Sequence, residues 1–98
     1  MSKVLRGADA KLPTPLKVVY FSKRKEPAKD GSWFEDVSKR VVRLEIEGPE
    51  GEPESPHLLV RRDAQGKLVW KTRHASLQEA LWHAEWEYGL AEAAWKTA

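Results

Sequence analysis

Residues 76–89, S-L-Q-E-A-L-W-H-A-E-W-E-Y-G, constrain the fold more than any other stretch because they carry an amphipathic pattern with a signal at each end. Ser76 and Glu79 form a capping box, in which each side chain accepts from the main-chain amide of the other residue. Gly89 can adopt the left-handed conformation that follows a helix end. The sequence therefore predicts a helix that ends near Gly89. The residues on its core face are Leu77, Ala80, Leu81, Ala84 and Tyr88.

The same helix has a second apolar side. At about 100° per residue, Trp82 and Trp86 fall nearly opposite the core face. Either the helix continues past Gly89, or it breaks there and the tail folds back, so that Leu90 and Trp95 cover the two tryptophans. We favour the break, because two bare tryptophans need an explanation. Without that cover, Trp82 and Trp86, with Trp95, are candidates for contact with a second copy or a partner protein.

Most of the remaining chain has strand patterns. Residues 16–22 are rich in β-branched and aromatic residues, and residues 41–47 alternate apolar with charged residues. Residues 57–62 and 67–73 predict a hairpin around Asp63-Ala64-Gln65-Gly66, with Leu58 and Val60 on the same face as Leu68 and Trp70. Residues 32–39 fit a strand or a short capped helix, and we favour the strand.

Two segments lack a regular pattern. Residues 1–14 have scattered charges and lead into Pro13 and Pro15, so we expect a flexible N-terminal arm. Residues 48–56, G-P-E-G-E-P-E-S-P, are expected to form an acidic loop. The prediction is one α+β domain over residues 15–98, with an antiparallel sheet of three to four strands and one principal C-terminal helix packed on one face.

Composition narrows the functional classes. The chain of 98 residues has no cysteine, which excludes disulfides and thiolate chemistry and fits a reducing compartment. No apolar run reaches the roughly 18 residues that a membrane span needs, and the first residues lack the apolar core of a signal peptide. We expect a soluble cytoplasmic protein that does not contact membranes and has no cofactor.

Basic residues concentrate in the first part of the chain. Residues 1–43 contain eleven Lys and Arg against five Asp and Glu, whereas residues 44–98 contain six against ten. A basic sheet face with Trp33 at its rim would suit phosphates and a stacked base, although Glu45 and Glu47 would dilute it. The candidate nucleic-acid contacts are Lys23, Arg24, Lys25, Arg43, Arg61, Lys71 and Arg73.

Evidence of catalysis is weaker. Glu79, His83 and Glu87 share one helix face at i, i+4 and i+8, and His74 lies just before the helix; imidazole and carboxylate at this spacing suit a metal or a proton relay. Such triplets usually form a solvated helix face, so we expect no metal site. Nucleophile-elbow and phosphate-loop motifs are absent from the sequence. Enzymatic activity is the least supported class.

The run T-R-H-A-S-L-Q-E-A-L-W-H-A-E-W-E-Y-G-L, with a tryptophan six residues after the glycine, resembles the C-terminal signature of small bacterial sheet-plus-helix domains of unknown activity. The resemblance implies a compact domain and a break at Gly89, and it transfers no catalytic residue. The strand and helix order also resembles double-stranded RNA-binding domains, but the lysine-rich start of their last helix is absent. We therefore expect a non-catalytic protein-interaction or accessory module of a bacterial cell, with nucleic-acid binding as the alternative.

Overall fold

The structure, a computed structural model, describes residues 3–97. Its elements in chain order are β1 Lys3–Asp9, β2 Phe21–Lys23, β3 Phe34–Asp36, β4 Arg43–Gly48, β5 His57–Arg62, β6 Leu68–His74, α1 Leu77–Tyr88 and β7 Lys96–Thr97, with single 3₁₀ turns at Ser38–Arg40 and Glu92–Ala94. Five strands form an antiparallel sheet in the order β6-β5-β4-β1-β7, and β2 pairs with β3 in a separate ribbon. The α+β prediction is confirmed, with five strands in the main sheet instead of three or four.

Helix α1 begins and ends where its sequence signals predict. The Ser76 hydroxyl accepts from the Glu79 amide at 3.1 Å, while the Glu79 carboxylate accepts from the amide of Ala75, one residue earlier than a capping box requires. Gly89 has φ 69°, and its N–H donates to the Glu85 carbonyl at 2.8 Å. Because this conformation is left-handed, the helix stops there, as predicted.

The core lies between α1 and one face of the sheet, here called the helix face. Strands β4, β5 and β6 contact α1. Leu44, Ile46 and Leu59 are completely buried on this face, and Ala80 and Ala84 of α1 are buried against them. Leu81, Tyr88 and Trp95 belong to the same cluster. The predicted apolar stripe of the helix is thus confirmed as its core side.

The N-terminal segment is a strand, and the prediction of a flexible arm over residues 1–14 is wrong for residues 3–9. Strand β1 pairs with β4 through Gly7 and Glu45, and with β7 through Gly7 and Lys96. Its Ala8 is buried in the core. Partner strands on both sides supply hydrogen bonds that local pattern does not reveal. Residues 1 and 2 lie outside the described residues.

The strand predicted at residues 16–22 is mostly irregular, because only Phe21 and Ser22 of it enter β2. The main chain of Tyr20 instead bonds to the turn after β3, donating to the Ser38 hydroxyl and accepting from the Val37 amide. For residues 32–39 the favoured strand is present as β3, followed by the 3₁₀ turn Ser38–Arg40.

The predicted hairpin is present, but its faces differ from the prediction. Leu58 and Val60 lie opposite Arg73 and Lys71, whereas Arg61 lies opposite Trp70. Since side chains alternate between faces, Trp70 and Arg61 lie on the helix face, and Leu58 and Val60 lie on the opposite face. The register shifts between Arg61 and Arg62, a local irregularity that sequence alternation cannot locate.

Residues 49–56 join β4 to β5 through turns, without a regular element. One main-chain bond ties this acidic loop to the helix, from the Leu77 amide to the Pro53 carbonyl at 2.8 Å. Across residues 3–97, no helix is both long enough and apolar enough to cross a membrane.

Candidate functional site

The outer face of α1, defined by Glu79, Trp82, Glu85 and Trp86, exposes two tryptophans. Trp82 is 63% exposed and Trp86 is 51% exposed, one helical turn apart. Glu79 and Glu85 are exposed beside them. The ammonium of Lys17 lies 5.5 Å from the centre of the Trp86 ring, within the range of a cation–π interaction. This face therefore combines two accessible rings with two carboxylates.

The C-terminal tail does not cover these tryptophans, contrary to the sequence expectation. Strand β7 pairs with Arg6 and Gly7 of β1, at the far edge of the sheet. This pairing places Trp95 in the core, where it is 8% exposed. Trp95 is thus a core residue and contributes no accessible ring to the outer face of α1. The break at Gly89 was correctly predicted, but strand pairing with β1 determines where the tail goes.

A buried polar cluster lies on the other side of α1, between the helix and the helix face of the sheet. Arg61 is 0% exposed and Glu87 is 3% exposed. Arg61 Nη2 donates to Glu87 Oε2 at 2.8 Å, and Arg61 Nε donates to Glu87 Oε1 at 3.2 Å. The two residues thus form a bidentate ion pair. The Tyr20 hydroxyl also donates to Oε1, and the guanidinium lies 4.9 Å from the centre of the Tyr20 ring. The cluster ties residues 20, 61 and 87 together.

The charge state of this cluster is fixed at neutral pH. Burial disfavours the charged form of Glu87, but hydrogen bonds from Arg61 and Tyr20 outweigh it and hold the pKa of Glu87 below its ordinary 4.5. Burial would lower the pKa of Arg61, but the Glu87 carboxylate raises it above its ordinary value. Burial and the bond to Glu87 raise the pKa of Tyr20 well above 10.0. Arg61 and Tyr20 therefore keep their protons while Glu87 stays ionised, as in a structural ion pair.

Two histidines extend the cluster toward the surface. His83 Nε2 lies 2.7 Å from Glu87 Oε2, and its ring centre is 4.7 Å from that of His74. His74 Nε2 lies 2.7 Å from the Thr72 hydroxyl, and its Nδ1 lies 3.6 Å from Glu79 Oε1. Burial lowers the pKa of His74 below 6.5, and the nearby His83 lowers it further.

The helix triplet predicted from sequence is divided between these environments. Glu87 turns inward to Arg61, whereas Glu79 caps the helix. Within residues 3–97, no group of three or more His, Asp or Glu side chains is arranged to hold a metal ion. The Arg61–Glu87 pair was not predicted from the sequence. Glu87 had a signal, because it lies three residues after Ala84 on the core side of the helix. The burial of Arg61 had none, because strand alternation alone does not say which face of β5 meets α1.

Arg61 does not belong to the predicted cationic patch, because its side chain is buried. Lys71 and Arg73 do lie on the opposite face of the sheet with Arg43. Arg43 Nε is 3.5 Å from the Glu45 carboxylate, which lies on the same face. The face therefore carries mixed charge.

The other predicted basic residues lie on or beside the β2-β3 ribbon. The Lys23 ammonium is 6.0 Å from the centre of the Trp33 ring, and Arg24 forms an ion pair with Glu35 at 3.5 Å. Lys25 is exposed in the connection that follows β2. The structure thus separates these three residues from the basic side chains of the main sheet.

An open apolar cleft of about 630 Å³ lies between the segment before β2 and the end of β3. It is lined by Leu12, Pro13, Thr14, Pro15, Leu16, Val19, Asp36 and Lys39. Its titratable groups are Asp36 and Lys39. Neither His74, His83 nor Glu87 lines it. The cleft therefore offers no acid–base pair that includes a histidine.

No protein-family model, curated protein or solved structure matches this chain.

Proposed function

We propose that this protein is a non-catalytic protein-interaction module and that the outer face of α1 is its docking surface. The observation that supports this proposal is the exposure of Trp82 and Trp86, 63% and 51%, on a helix whose other side is anchored in the core. Tryptophan is enriched among the residues that dominate binding energy at protein interfaces. A rigid helix presents both rings without the entropic cost of ordering a loop.

The charges around the rings favour a partner that carries lysine or arginine. Glu79 and Glu85 are exposed beside the tryptophans. Lys17, placed 5.5 Å from the Trp86 ring centre, is an internal example of the contact that such a partner would make. The two carboxylates would repel a phosphate backbone, which favours a protein over a nucleic acid at this face.

The proposed setting is the bacterial cytoplasm. The absence of cysteine fits a reducing compartment. The bacterial origin rests on the resemblance of the helix signature.

The two rings offer a partner apolar area to bury, and the gross value of that burial exceeds the change the experiment must detect. If a free tryptophan side chain exposes roughly 250 Å², the two rings leave about 280 Å² to be covered, worth about 7 kcal/mol at ~25 cal/mol per Å². Replacing both rings by glutamate should remove most of this energy. Because both side chains point away from the core, the variant should still fold.

The experiment compares the wild-type protein with the double variant Trp82→Glu/Trp86→Glu and with Phe34→Glu, which alters an exposed apolar residue of the separate ribbon. Each protein is used to capture partners from an extract of the source cell, and the captured protein is purified and titrated by calorimetry. We expect the wild type and Phe34→Glu to bind equally, and the double variant to bind at least a hundredfold more weakly.

Two results would refute the proposal. One is a captured protein that binds the double variant as tightly as the wild type. The other is a wild-type homodimer in sedimentation that Trp86→Glu dissociates, because the face would then be occupied by a second copy. Capture of nucleic acid alone would support the alternative function.

A further inference from the structure

Strand β6 is a long edge of the main sheet, and no strand among residues 3–97 pairs with its outer side. In the order β6-β5-β4-β1-β7, its neighbour within that part of the chain is β5. It spans seven residues, whereas β7 at the opposite edge spans two. Every second residue of an antiparallel edge strand directs its N–H and C=O outward, where they can pair with another chain.

The side chains of this edge differ between its two faces. Lys71 and Arg73 lie on the face of the sheet that points away from α1, where both are exposed. Across residues 3–97, neither lies within 4.0 Å of a carboxylate. Trp70 lies on the helix face and is 38% exposed. The edge is therefore basic on one face, and on the other it carries the half-exposed Trp70, whose ring stacks on Tyr20 with 5.2 Å between ring centres.

We propose that the β6 edge binds, by strand addition, an extended segment of a partner protein in which acidic and apolar residues alternate. In a paired strand, alternate side chains point to opposite faces. The acidic residues would then reach Lys71 and Arg73, while the apolar residues would contact Trp70. Main-chain hydrogen bonds supply affinity in this binding mode, and the alternating side chains supply specificity.

A second copy of the chain fits this edge less well. Antiparallel pairing of two β6 strands would place Lys71 and Arg73 beside the same residues of the other copy, and like charges across a strand pair are destabilising. Exposed lysine on an edge strand is a common protection against self-pairing. The proposal concerns a surface different from the outer face of α1, so the two can succeed or fail separately.

The test uses a blocked peptide of alternating glutamate and valine, as long as β6, titrated into the intact protein by calorimetry. We expect saturable binding that weakens about tenfold in Lys71→Glu/Arg73→Glu, because two attractive cross-strand pairs become repulsive. The matched control is Lys29→Glu, which reverses an exposed lysine in the β2-β3 connection and should bind like the wild type. Trp82→Glu/Trp86→Glu should also bind like the wild type.

Two N-methylated peptides test the strand pairing itself. One is methylated at the glutamates and the other at the valines, so that each blocks the N–H groups along one edge of the peptide. Pairing through a single edge predicts that one peptide loses binding and the other retains it.

Absent binding, equal binding of both methylated peptides, or binding unchanged by the Lys71/Arg73 reversal would overturn the proposal. Loss of binding in the tryptophan variant would also do so, since the peptide would then lie on α1. A wild-type dimer that the peptide dissociates would assign the edge to a second copy and overturn it as well.

Discussion

The variant Glu87→Gln tests the buried ion pair most directly. Glutamine has nearly the shape of glutamate but carries no charge, so Arg61, which is 0% exposed, would remain charged without its counterion. Breaking a buried pair in this way typically costs about 3–5 kcal/mol. The glutamine amide would also direct N–H groups at donors of Arg61 or Tyr20, which adds to the cost. We therefore expect the free energy of unfolding to fall by an amount in the upper part of this range.

The loss is measured by urea unfolding followed by tryptophan fluorescence at neutral pH. A domain of this size has a free energy of unfolding of about 5–15 kcal/mol, so the variant keeps a measurable transition when the wild-type value is above about 6 kcal/mol. With an m-value of about 2 kcal/mol per M, the midpoint should fall by about 2 M. The control is Glu85→Gln, an exposed position on the same helix, which should change stability by less than about 0.5 kcal/mol.

The loss should also depend on pH. The folded-state pKa of Glu87 lies below its unfolded value of 4.5, so its stabilisation is complete above pH 4.5 and is lost as the pH falls through the folded-state pKa. The difference in the free energy of unfolding between the wild type and Glu87→Gln should therefore become smaller in acid. A loss below about 1 kcal/mol at neutral pH, or a difference that does not become smaller in acid, would refute the reasoning.

Two further predictions follow from burial and close contacts. Burial lowers the pKa of His74 below its unfolded value of 6.5, so His74 is protonated more readily in the unfolded chain than in the folded one. The free energy of unfolding of the wild type should therefore fall as the pH drops below 6.5. In His74→Gln, urea titrations at several pH values should show that this dependence of stability on pH is lost. A slope equal to that of the wild type would contradict this explanation. In Gly48→Ala, the new Cβ would lie 2.6 Å from Nε2 of the buried His57, which should cost about 1–3 kcal/mol in thermal melts. In the control Gly7→Ala, the Cβ meets the movable end of Arg43, so a melting temperature as low as that of Gly48→Ala would count against the steric argument.

The elements that sequence predicted well are those whose causes lie within a few residues. Ser76 caps α1 and Gly89 ends it, because a hydroxyl acceptor and a left-handed conformation act over one helical turn. Gly66, with φ 79°, closes the β5-β6 turn for the same local reason. The alternation that predicted β4 likewise extends over six residues.

The positions that only the tertiary structure decided depend on partners distant in the chain. Strand β1 exists because β4 and β7 flank it, and β7 in turn carries the tail away from Trp82 and Trp86. Arg61 and Glu87 are 26 residues apart, and Tyr20 and Glu87 are 67 apart.

The features of the candidate site also fall into those that local sequence determines and those that tertiary contacts determine. Helical periodicity placed Trp82 and Trp86 on one outer face, since that spacing is a property of the helix itself. Whether the rings would be covered depended on where the tail paired, and whether Arg61 would be a surface cation depended on the register of β5 against β6. Local conformation is determined by neighbouring residues, whereas burial and charge pairing are determined by contacts that form only when distant segments meet.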